Sequence, residues 1–376
     1  MRVSASAERA LLAEWGRCRW VWNQCVAESR QAWKDKRECG PAGLDKLLTG
    51  WRAGHEWLRE GSSVAQKQAV RDFGKSRAKA LKDIRGRLPV RQRAGLPQFK
   101  KRGRSLPTVN YTKQGFTLRD GLLTLAGGIS LRVVWSRPLP SSPSSVRVYR
   151  DSLGHWHASF VVQAEAEPYP QTGQVIGIDW GVRDIAVTTS GAHDLPHPEH
   201  GKKAAQKLGR YQRMMARRRP ERGKAASAGY KRARRQAAKA HAKAAAQRQD
   251  TARKWAKSVV RDHDAIAAED FRPRFLARSA MARKAADAAI GAAKKSLLEM
   301  AAKHGRAVHL VNPAYTTMDC SACGARAKSR LLLSERTYTC DACGLALPRD
   351  KNSARVMLTR AGLNPAGTDR VRPRAA

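Results

Sequence analysis

Acidic residues are scarce in this 376-residue chain, which has 31 Asp and Glu against 73 Lys and Arg. The resulting formal net charge of +42 would repel itself in a compact fold unless a polyanion neutralised it. An acidic small molecule would not need so many cations. The composition therefore favours nucleic acid as the partner, with an anionic membrane surface as the other candidate.

Long apolar runs are also lacking, because no stretch approaches 18 apolar residues and no apolar N-terminal segment precedes a cleavage site. We therefore expect a soluble, cytoplasmic protein with no membrane partner. No internal repeat is visible. A hydrophobic content of 42% argues against a wholly disordered basic protein, and the length suggests two or three domains.

Cysteine is limited to seven residues, three of them scattered through the first forty positions. The other four form two pairs, Cys320/Cys323 and Cys340/Cys343, and a glycine follows each pair. An odd total with CxxC spacing indicates thiolates that hold a metal, and not a secreted disulfide framework. Two such knuckles supply the tetrahedral site of structural zinc, and four thiolates leave no open position for catalysis. The alternative is a redox dithiol or two unrelated pairs.

Helical periodicity dominates the N-terminal third of the chain. Apolar residues at three- and four-residue steps predict helices over about 7–33, 47–58 and 63–85. The same spacing assigns four tryptophans to the core between these helices, in preference to base stacking: Trp15, Trp20, Trp22 and Trp33.

Short alternating segments separated by Gly and Pro follow from about residue 96 to 167 and predict a small β-barrel or sheet. Within it, residues 146–162 predict a hairpin with its turn at 151–154. The segment before the sheet is basic with an aromatic inside it, which suits a phosphate backbone as well as a solvated loop. Its candidate nucleic-acid contacts are Lys100, Lys101 and Arg102.

Residues 201–260 hold 20 Lys and Arg and only two acids, Glu221 and Asp250, for a net charge of +18. The composition predicts two long helices with a break near 220–229. Because the run lacks the acids of a self-paired helix, nucleic-acid contact is favoured over a solvated face. The candidate contacts are Arg217, Arg218, Arg219, Lys231, Arg232, Arg234 and Arg235.

Three carboxylates stand at the ends of predicted elements. Asp179 ends an apolar strand, Glu269 ends a second short strand, and Asp350 opens a helix. Each has a structural explanation on its own, and Asp350 in particular could be an ordinary N-cap. Together they are the set that binds two Mg²⁺ ions for phosphodiester cleavage. Periodicity alone does not show that they converge.

The order and content of these motifs resemble the TnpB family, transposon-encoded RNase H-like nucleases with a RuvC site and relatives of compact type V CRISPR effectors. The resemblance is dense over 174–362 and weaker upstream. It is carried by GIDWGV at 177–182, AEDF at 268–271, NPAYTT at 312–317, the two CxxCG knuckles and DKNSA at 350–354, with upstream landmarks at 16–23, Gln66, Gln68 and 96–100.

This resemblance implies a multidomain α+β protein. Its RNase H-like (RuvC) α/β nuclease domain would contain an inserted four-cysteine zinc ribbon and follow a helical recognition lobe and a small β-barrel (wedge) domain. The implied boundaries are 1–92 for the recognition lobe, 93–170 for the wedge domain, 171–317 with 346–362 for the nuclease domain, 318–345 for the ribbon, which would bind target nucleic acid, and 363–376 for a disordered tail.

The resemblance also implies an RNA-guided DNA endonuclease. A guide RNA, from a transposon end or a CRISPR array, would pair with double-stranded target DNA next to a short flanking motif, and the protein would associate with the nucleoid when bound. Asp179, Glu269 and Asp350 would be catalytic and hold two Mg²⁺ ions. The four cysteines would hold structural Zn²⁺.

Other functions stay open at this point. One alternative is an RNA-guided or basic nucleic-acid-binding protein that does not cleave, acting as a repressor or transposition regulator. A basic structural RNA-binding protein with a zinc ribbon and a protein-only transposase are two more. A protein that does not cleave would have no use for three intact carboxylates, and a structural RNA-binding protein leaves Asp179 and Glu269 unexplained.

The chain departs from the family pattern in two places. It reaches its first helix almost at once, so we expect the first strand of the barrel to be missing or altered. A cation, Lys351, follows Asp350 directly, and we expect its side chain to face phosphate.

Overall fold

The computed structural model describes residues 1–376 except 91, 104, 222, 272–275, 277–278, 333 and 364–376. The disordered tail expected over 363–376 thus lies, apart from Leu363, outside the described residues. The chain divides into two compact units, Met1–Ala164 and Glu165–Ala376. Among the described residues, no helix is both long and apolar enough to cross a membrane.

Helices open the first unit. They are α1 (Ala5–Lys34), α2 (Pro41–Gly54), α3 (Glu56–Arg59) and α4 (Ser63–Arg85). The hydroxyls of Ser4 and Ser62 accept hydrogen bonds from the third amide that follows them, so each serine caps the start of a helix, α1 and α4 respectively. The predicted helices are confirmed, with the weak middle one divided between α2 and α3.

Of the four tryptophans assigned to the core between the helices, Trp20 and Trp22 pack there, whereas Trp15 is buried in the core that the helices share with the β-sheets. Trp15 and Trp22 are each 8% exposed, and Trp20 makes edge-to-face contacts with Trp51 at 5.8 Å between ring centroids. The prediction is wrong for Trp33, which is 80% exposed. Periodicity indicates which residues share a face of α1, but not how far along the helix its packing partners extend.

Two three-stranded antiparallel sheets complete the first unit. One has the order β1 (Thr108–Thr112), β5 (Ser145–Arg150) and β6 (Trp156–Val161), and the other the order β2 (Phe116–Arg119), β3 (Leu122–Leu125) and β4 (Ile129–Arg132), with a 3₁₀ turn at Lys113–Gly115. The β5–β6 hairpin confirms the hairpin prediction. Ahead of α1, Arg2 makes one antiparallel bridge with Arg132 of β4. Side chains of both sheets share a core with the first half of α1.

A five-stranded mixed sheet organises the second unit. Its order is β11 (Ala307–Val311), β10 (Ala265–Glu269), β7 (Val175–Trp180), β8 (Asp184–Thr188) and β9 (Leu195–Pro196). Strands β7, β10 and β11 are parallel, whereas β8 and β9 run antiparallel to their neighbours. The two central parallel strands, β7 and β10, are mostly buried and begin as apolar runs, whereas the outer strand β11 is largely exposed.

The helices of this unit are α5 (His200–Arg217), α6 (Ala228–Asp262), α7 (Ala282–Ala288), α8 (Ile290–Lys303) and α9 (Arg349–Arg360). Helices α6 to α9 contribute buried residues to the cores on the two faces of the sheet, whereas α5 has no buried residue and packs on α6. Ile176 and Ile266 point to one face, where they meet residues of α6 and α8 such as Val259 and Leu297. Ala267 points to the other face and meets α9. The two long helices predicted over 201–260 are confirmed as α5 and α6.

A small two-stranded sheet, β12 (Thr337–Thr339) and β13 (Ala346–Pro348), lies in the chain between β11 and α9. It carries the second CxxC pair in the turn between its strands. The chain thus leaves the large sheet after β11, forms this module and returns as α9.

Candidate active site and metal centre

Asp179 and Glu269 lie side by side at the edge of the large sheet that is formed by the carboxyl ends of β7 and β10. Their strands β7 and β10 are parallel, and Ile178 is paired with Ala268 directly before them. The indole Nε1–H of Trp180 donates to the backbone carbonyl of Glu269 at 3.1 Å, which fixes the two strand ends together. The register therefore brings two of the three predicted carboxylates to one place.

Helix α9 brings the third carboxylate to this edge because it packs directly on β7. Gly177 makes this possible, since a Cβ atom there would collide with the carbonyl oxygen of Ala354. The helix begins at Arg349 with Pro348 as its N-cap, so Asp350 lies inside the first turn. The N-cap interpretation of Asp350 is therefore wrong.

Burial and neighbouring acids make the charged form of Asp179 unfavourable. Burial raises the pKa of Asp179 well above its ordinary value, and repulsion from Glu269 and Asp350 raises it further. Burial raises the pKa of Glu269 to about 7. Arg349 offsets part of this charge, with its Nε 3.2 Å from Oδ1 of Asp350. Acidic side chains crowded in this way fit a divalent cation, which would relieve the repulsion.

Two arginines near Asp350 were not among the predicted site residues. Arg349 also donates to the carbonyl oxygens of Leu332 and Glu335, so it joins the module to the first turn of α9. Arg336 lies 3.9 Å from Oδ2 of Asp350 and is about half exposed. The position of Arg349 next to Asp350 in the sequence was the one available signal, whereas Arg336 is brought there by the β12–β13 pairing.

Lys351 does not face outward as expected. Its Nζ lies 2.7 Å from the carbonyl oxygen of Thr188 and 2.7 Å from Oδ2 of Asp194. The expectation that it faces phosphate is therefore wrong for this structure. The sequence could not show the ion pair because Asp194 precedes Lys351 by 157 residues.

The four paired cysteines converge, with all their sulfur atoms within 4.8 Å of one another. The two knuckles have the same backbone bonds: the Cys320 and Cys340 amides donate to residues five positions on, and their carbonyls accept from Gly324 and Gly344. Both glycines have positive φ, +76° and +73°. This is the left-handed turn that favours glycine at each position.

The spacing of the sulfur atoms fits a tetrahedral metal. Sγ of Cys320 lies 3.7 Å from that of Cys343, and Sγ of Cys323 lies 3.6 Å from that of Cys340. Four Zn–S bonds of about 2.3 Å place tetrahedral sulfurs about 3.8 Å apart, whereas a disulfide would need about 2 Å. The four cysteines can therefore bind a metal such as zinc.

Asn352 connects this metal centre to the carboxylate edge. The side chain is completely buried, its Nδ2 donates to the carbonyl of Asp319 at 2.8 Å, and its Oδ1 accepts from the amide of Ser321 at 3.0 Å. Those two residues flank the first ligand cysteine, and Asn352 follows Asp350 by two positions. One amide thus holds the first knuckle against α9.

The predicted basic contacts of α5 and α6 are exposed. Among the residues that the structure describes, none of them makes an ion pair with an acid: Arg217, Arg218, Arg219, Lys231, Arg232, Arg234 and Arg235. Asp287 holds the base of the hairpin by accepting from the amides of Gly201 and Lys202 and from Arg248. The hairpin therefore presents cations that the described part of the chain leaves uncompensated.

The three basic candidates of the first unit are placed differently. Lys101 and Arg102 are exposed. Lys100 is half-buried with its Nζ 3.6 Å from the ring centroid of Trp22, and its amide donates to Asn23. Burial lowers the pKa of Lys100. Its ammonium group already has an aromatic partner, so contact with nucleic acid stays a prediction.

Two protein families match this sequence. The family described as "OrfB_IS605: Probable transposase" matches residues 159–279, which include Asp179 and Glu269. The family described as "Cas12f1-like, TNB domain" matches residues 291–357, which include Asp350 and the four cysteines. The two matched ranges together contain every proposed metal ligand.

Relatives align along most of the chain. A protein of Streptomyces pristinaespiralis named "Putative RNA-guided DNA endonuclease" is 31% identical over 366 residues, covering 95% of this chain and 87% of that protein. "Putative RNA-guided DNA endonuclease InsQ" of Escherichia coli strain K12 is 26% identical over 365 residues, covering 91% and 86%. The similarity is therefore not confined to the metal sites.

A solved structure shares the fold. A chain in the "Cryo-EM structure of the Cas12f1-sgRNA-target DNA complex" matches with a TM-score of 0.54 and 14% identity, covering 93% of this chain and 82% of that chain. At this identity the likeness establishes the fold alone, a multidomain α+β arrangement.

Proposed function

This chain belongs to the TnpB family, and we propose that it is an RNA-guided DNA endonuclease. Guide RNA and double-stranded target DNA are its partners in this proposal, because its relatives are named as RNA-guided DNA endonucleases. Base pairing by the guide supplies the sequence specificity, while the protein recognises a short flanking motif and the shape of the heteroduplex.

The second unit is the nuclease domain in this proposal. Its sheet has three parallel strands and two antiparallel ones in the order β11-β10-β7-β8-β9, which supports an RNase H-like (RuvC) assignment. We assign 171–317 and 346–362 to that domain and 318–345 to the zinc ribbon. The first unit would provide the recognition lobe, 1–92, and most of the wedge domain, 93–170.

The convergence of Asp179, Glu269 and Asp350 is the observation that carries the proposal. A hydrolase needs no covalent intermediate here, and the three side chains would hold two Mg²⁺ ions. When bound, such a pair of ions supplies activation of water and stabilisation of the leaving oxygen. The protein's own contribution is to fix the ligands in advance: the β7–β10 register sets the first two, and α9 sets the third.

The basic hairpin and the ribbon would hold nucleic acid. The exposed cations of α5 and α6 match the phosphate backbone of a guide–target duplex, since no described acid compensates them. Zn²⁺ in the ribbon would be structural, because all four tetrahedral positions are taken by cysteine. The ribbon adjoins α9 through Asn352, so in this proposal it would lie beside the cleavage site.

The first experiment asks whether a discrete RNA co-purifies with the protein. We expect one RNA species whose variable end, once replaced, directs cutting of a plasmid library with a randomised flanking sequence. Cutting should require Mg²⁺ and stop in EDTA. If no specific RNA is recovered, guidance by RNA is wrong, and a structural RNA-binding protein or a protein-only transposase takes its place.

The second experiment tests the site. Asp179→Ala should reduce programmed cleavage by about a thousandfold or more while leaving guide and target binding intact, because it removes a shared metal ligand. Glu299→Ala is the matched control, since Glu299 is an exposed carboxylate that pairs with Lys295 on α8. Cleavage by Asp179→Ala at the wild-type rate would overturn the assignment of the active site.

A further inference from the structure

Lys351 occupies a place where a cation is unfavourable. It lies in the first turn of α9, where the helix dipole repels positive charge. Its ammonium group nevertheless has three bonds inside the protein, to the carbonyl oxygen of Thr188 and to both carboxylate oxygens of Asp194, at 2.7 to 2.9 Å. Only 26% of the side chain is exposed. The positive charge of Lys351 is unfavourable at the start of a helix, yet its ammonium group makes three hydrogen bonds inside the protein. We therefore look for a structural role for these hydrogen bonds.

Asp194 ties Lys351 to the sheet as well as to the loop. Its Oδ1 accepts from the amide of Thr188 at 2.6 Å and from the Thr188 hydroxyl at 3.1 Å. Thr188 is the last residue of β8 and is completely buried. The carboxylate therefore closes the loop 189–194 onto the strand end, and Lys351 joins that closed loop to α9.

The loop is held on its other side by α6. Nε2 of His193 lies 3.0 Å from Oδ2 of Asp262, and the indole of Trp255 donates to the His193 carbonyl at 2.7 Å. Contacts from β8, α6 and α9 thus meet on six residues of chain. The loop is a fixed support, against which Lys351 can hold the start of α9.

We propose that Lys351 is a positioning residue whose ion pair with Asp194 anchors the first turn of α9 and so fixes Asp350 against Asp179 and Glu269. This inference rests on the proposed function, because it takes Asp350 to be a metal ligand. Gly177 lets α9 approach the sheet in the middle of the helix, and the Lys351 anchor sets where its first turn lies. A displaced ligand weakens catalysis without weakening the grip on nucleic acid, since reaction rates fall steeply with small misplacements.

The test uses Lys351→Met, which keeps the length of the side chain and removes its charge. With the co-purified guide and a matching plasmid, single-turnover cleavage should slow by about tenfold to a hundredfold. The Mg²⁺ concentration for half-maximal rate should rise. Target affinity in EDTA, and its salt dependence, should not change. Lys295→Met is the control, because Lys295 is an exposed ion-paired lysine on α8, and it should behave as wild type.

A double-mutant cycle identifies the partner. Asp194→Asn should slow cleavage as Lys351→Met does, and the double variant should be no slower than the slower single one, since both remove the same interaction. Lys351→Arg should recover part of the rate. Thermal unfolding of every variant shows whether it folds. If Lys351→Met does not fold, Lys351→Arg and Asp194→Asn still test the anchor.

Two results would overturn the anchor. One is unchanged cleavage by Lys351→Met at all Mg²⁺ concentrations. The other is a loss of target affinity with a salt slope lowered by about 1, which would mean that Lys351 contacts phosphate. Asp179→Ala measured in parallel separates the proposals: if it still cuts, the active site itself is wrong, whereas if it is inactive and Lys351→Met is normal, only the anchor fails.

Discussion

The four-cysteine module and the carboxylate cluster are neighbouring candidate metal sites that are built in opposite ways. The four thiols come from two short knuckles with the same backbone hydrogen bonds, so most of each half-site forms within six residues. The three carboxylates come from positions 179, 269 and 350 and meet only because β10 pairs with β7 and α9 packs on β7. The first site depends on a local pattern, and the second depends on the complete fold of the unit.

The two sites also differ in how closely their side chains match the needs of a metal ion. The sulfur atoms of the module already lie 3.6 to 3.7 Å apart, at the spacing that tetrahedral zinc requires. In the carboxylate cluster, burial raises the pKa of Asp179, and repulsion from Glu269 and Asp350 raises it further. The comparison predicts that damage to local bonds affects zinc first, and that damage to tertiary packing affects cleavage first.

Loss of zinc should have the largest effect. Binding of structural zinc contributes on the order of 10 kcal/mol, so Cys340→Ser should abolish zinc retention and remove hydrogen-exchange protection over 318–345. Protection of β7 and β10 should persist, because their core does not include the module. Cys39→Ser, outside the cluster, should keep its zinc. Collapse of the whole sheet in Cys340→Ser would show that the module is not local.

Gly177→Ala should produce the reverse pattern. The added methyl group meets the backbone of Ala354, so α9 must shift, at a cost of about 1–3 kcal/mol in unfolding free energy. Cleavage should fall by about a hundredfold because Asp350 moves with the helix. Zinc content, measured by elemental analysis, should stay at wild type. The control is Gly50→Ala, since Gly50 is exposed in α2 with open space around it.

Asn352→Ala should break the independence of the two sites. It leaves buried backbone groups of Asp319 and Ser321 without their partner, which costs about 1–3 kcal/mol. We expect zinc to exchange faster and cleavage to slow by about tenfold in the same variant. Thr359→Ala, an exposed change on α9, should alter neither property. A variant that loses only one of the two properties would mean that Asn352 does not couple them.

The basic hairpin should give the smallest effect on either site. Replacing Arg234 and Arg235 with alanine should lower the slope of log affinity against log salt by about 1 for each phosphate that is no longer neutralised. Zinc content should be unchanged, and so should the cleavage rate at saturating guide and target. Filter binding across a range of salt measures this. A change in cleavage rate under saturation would place these arginines closer to the reaction than we infer.

Local patterns account for most of what could be predicted from the sequence. The CxxCG spacing predicted the knuckles, periodicity predicted α1 and α4, and composition predicted α5 and α6, because each signal lies within one segment of chain. Strand β1, Thr108–Thr112, was missed, although its buried Val109 and Tyr111 alternate with polar residues in the pattern of a half-buried strand. Trp33 shows a second limit, because periodicity predicts which face of α1 a residue lies on but not whether another element packs against that face there.

Tertiary contacts account for what could not be predicted. Periodicity gave Asp179, Glu269 and Asp350 as three separate ends of elements, and only family resemblance grouped them. The ion pair between Lys351 and Asp194 joins positions far apart in the sequence, so the sequence led us to expect that Lys351 faces phosphate. Gly177 carried no visible reason to be glycine until α9 was placed against it.

The path of the chain through the second unit has a consequence for biosynthesis. The ribosome completes β7, the α5–α6 hairpin, β10 and the four-cysteine module before it reaches α9. Chains generally fold in the order in which they emerge. A nascent chain therefore contains its cationic hairpin and its four paired cysteines before it contains Asp350. During synthesis the segments proposed to hold nucleic acid therefore precede the last of the three residues proposed to cut it.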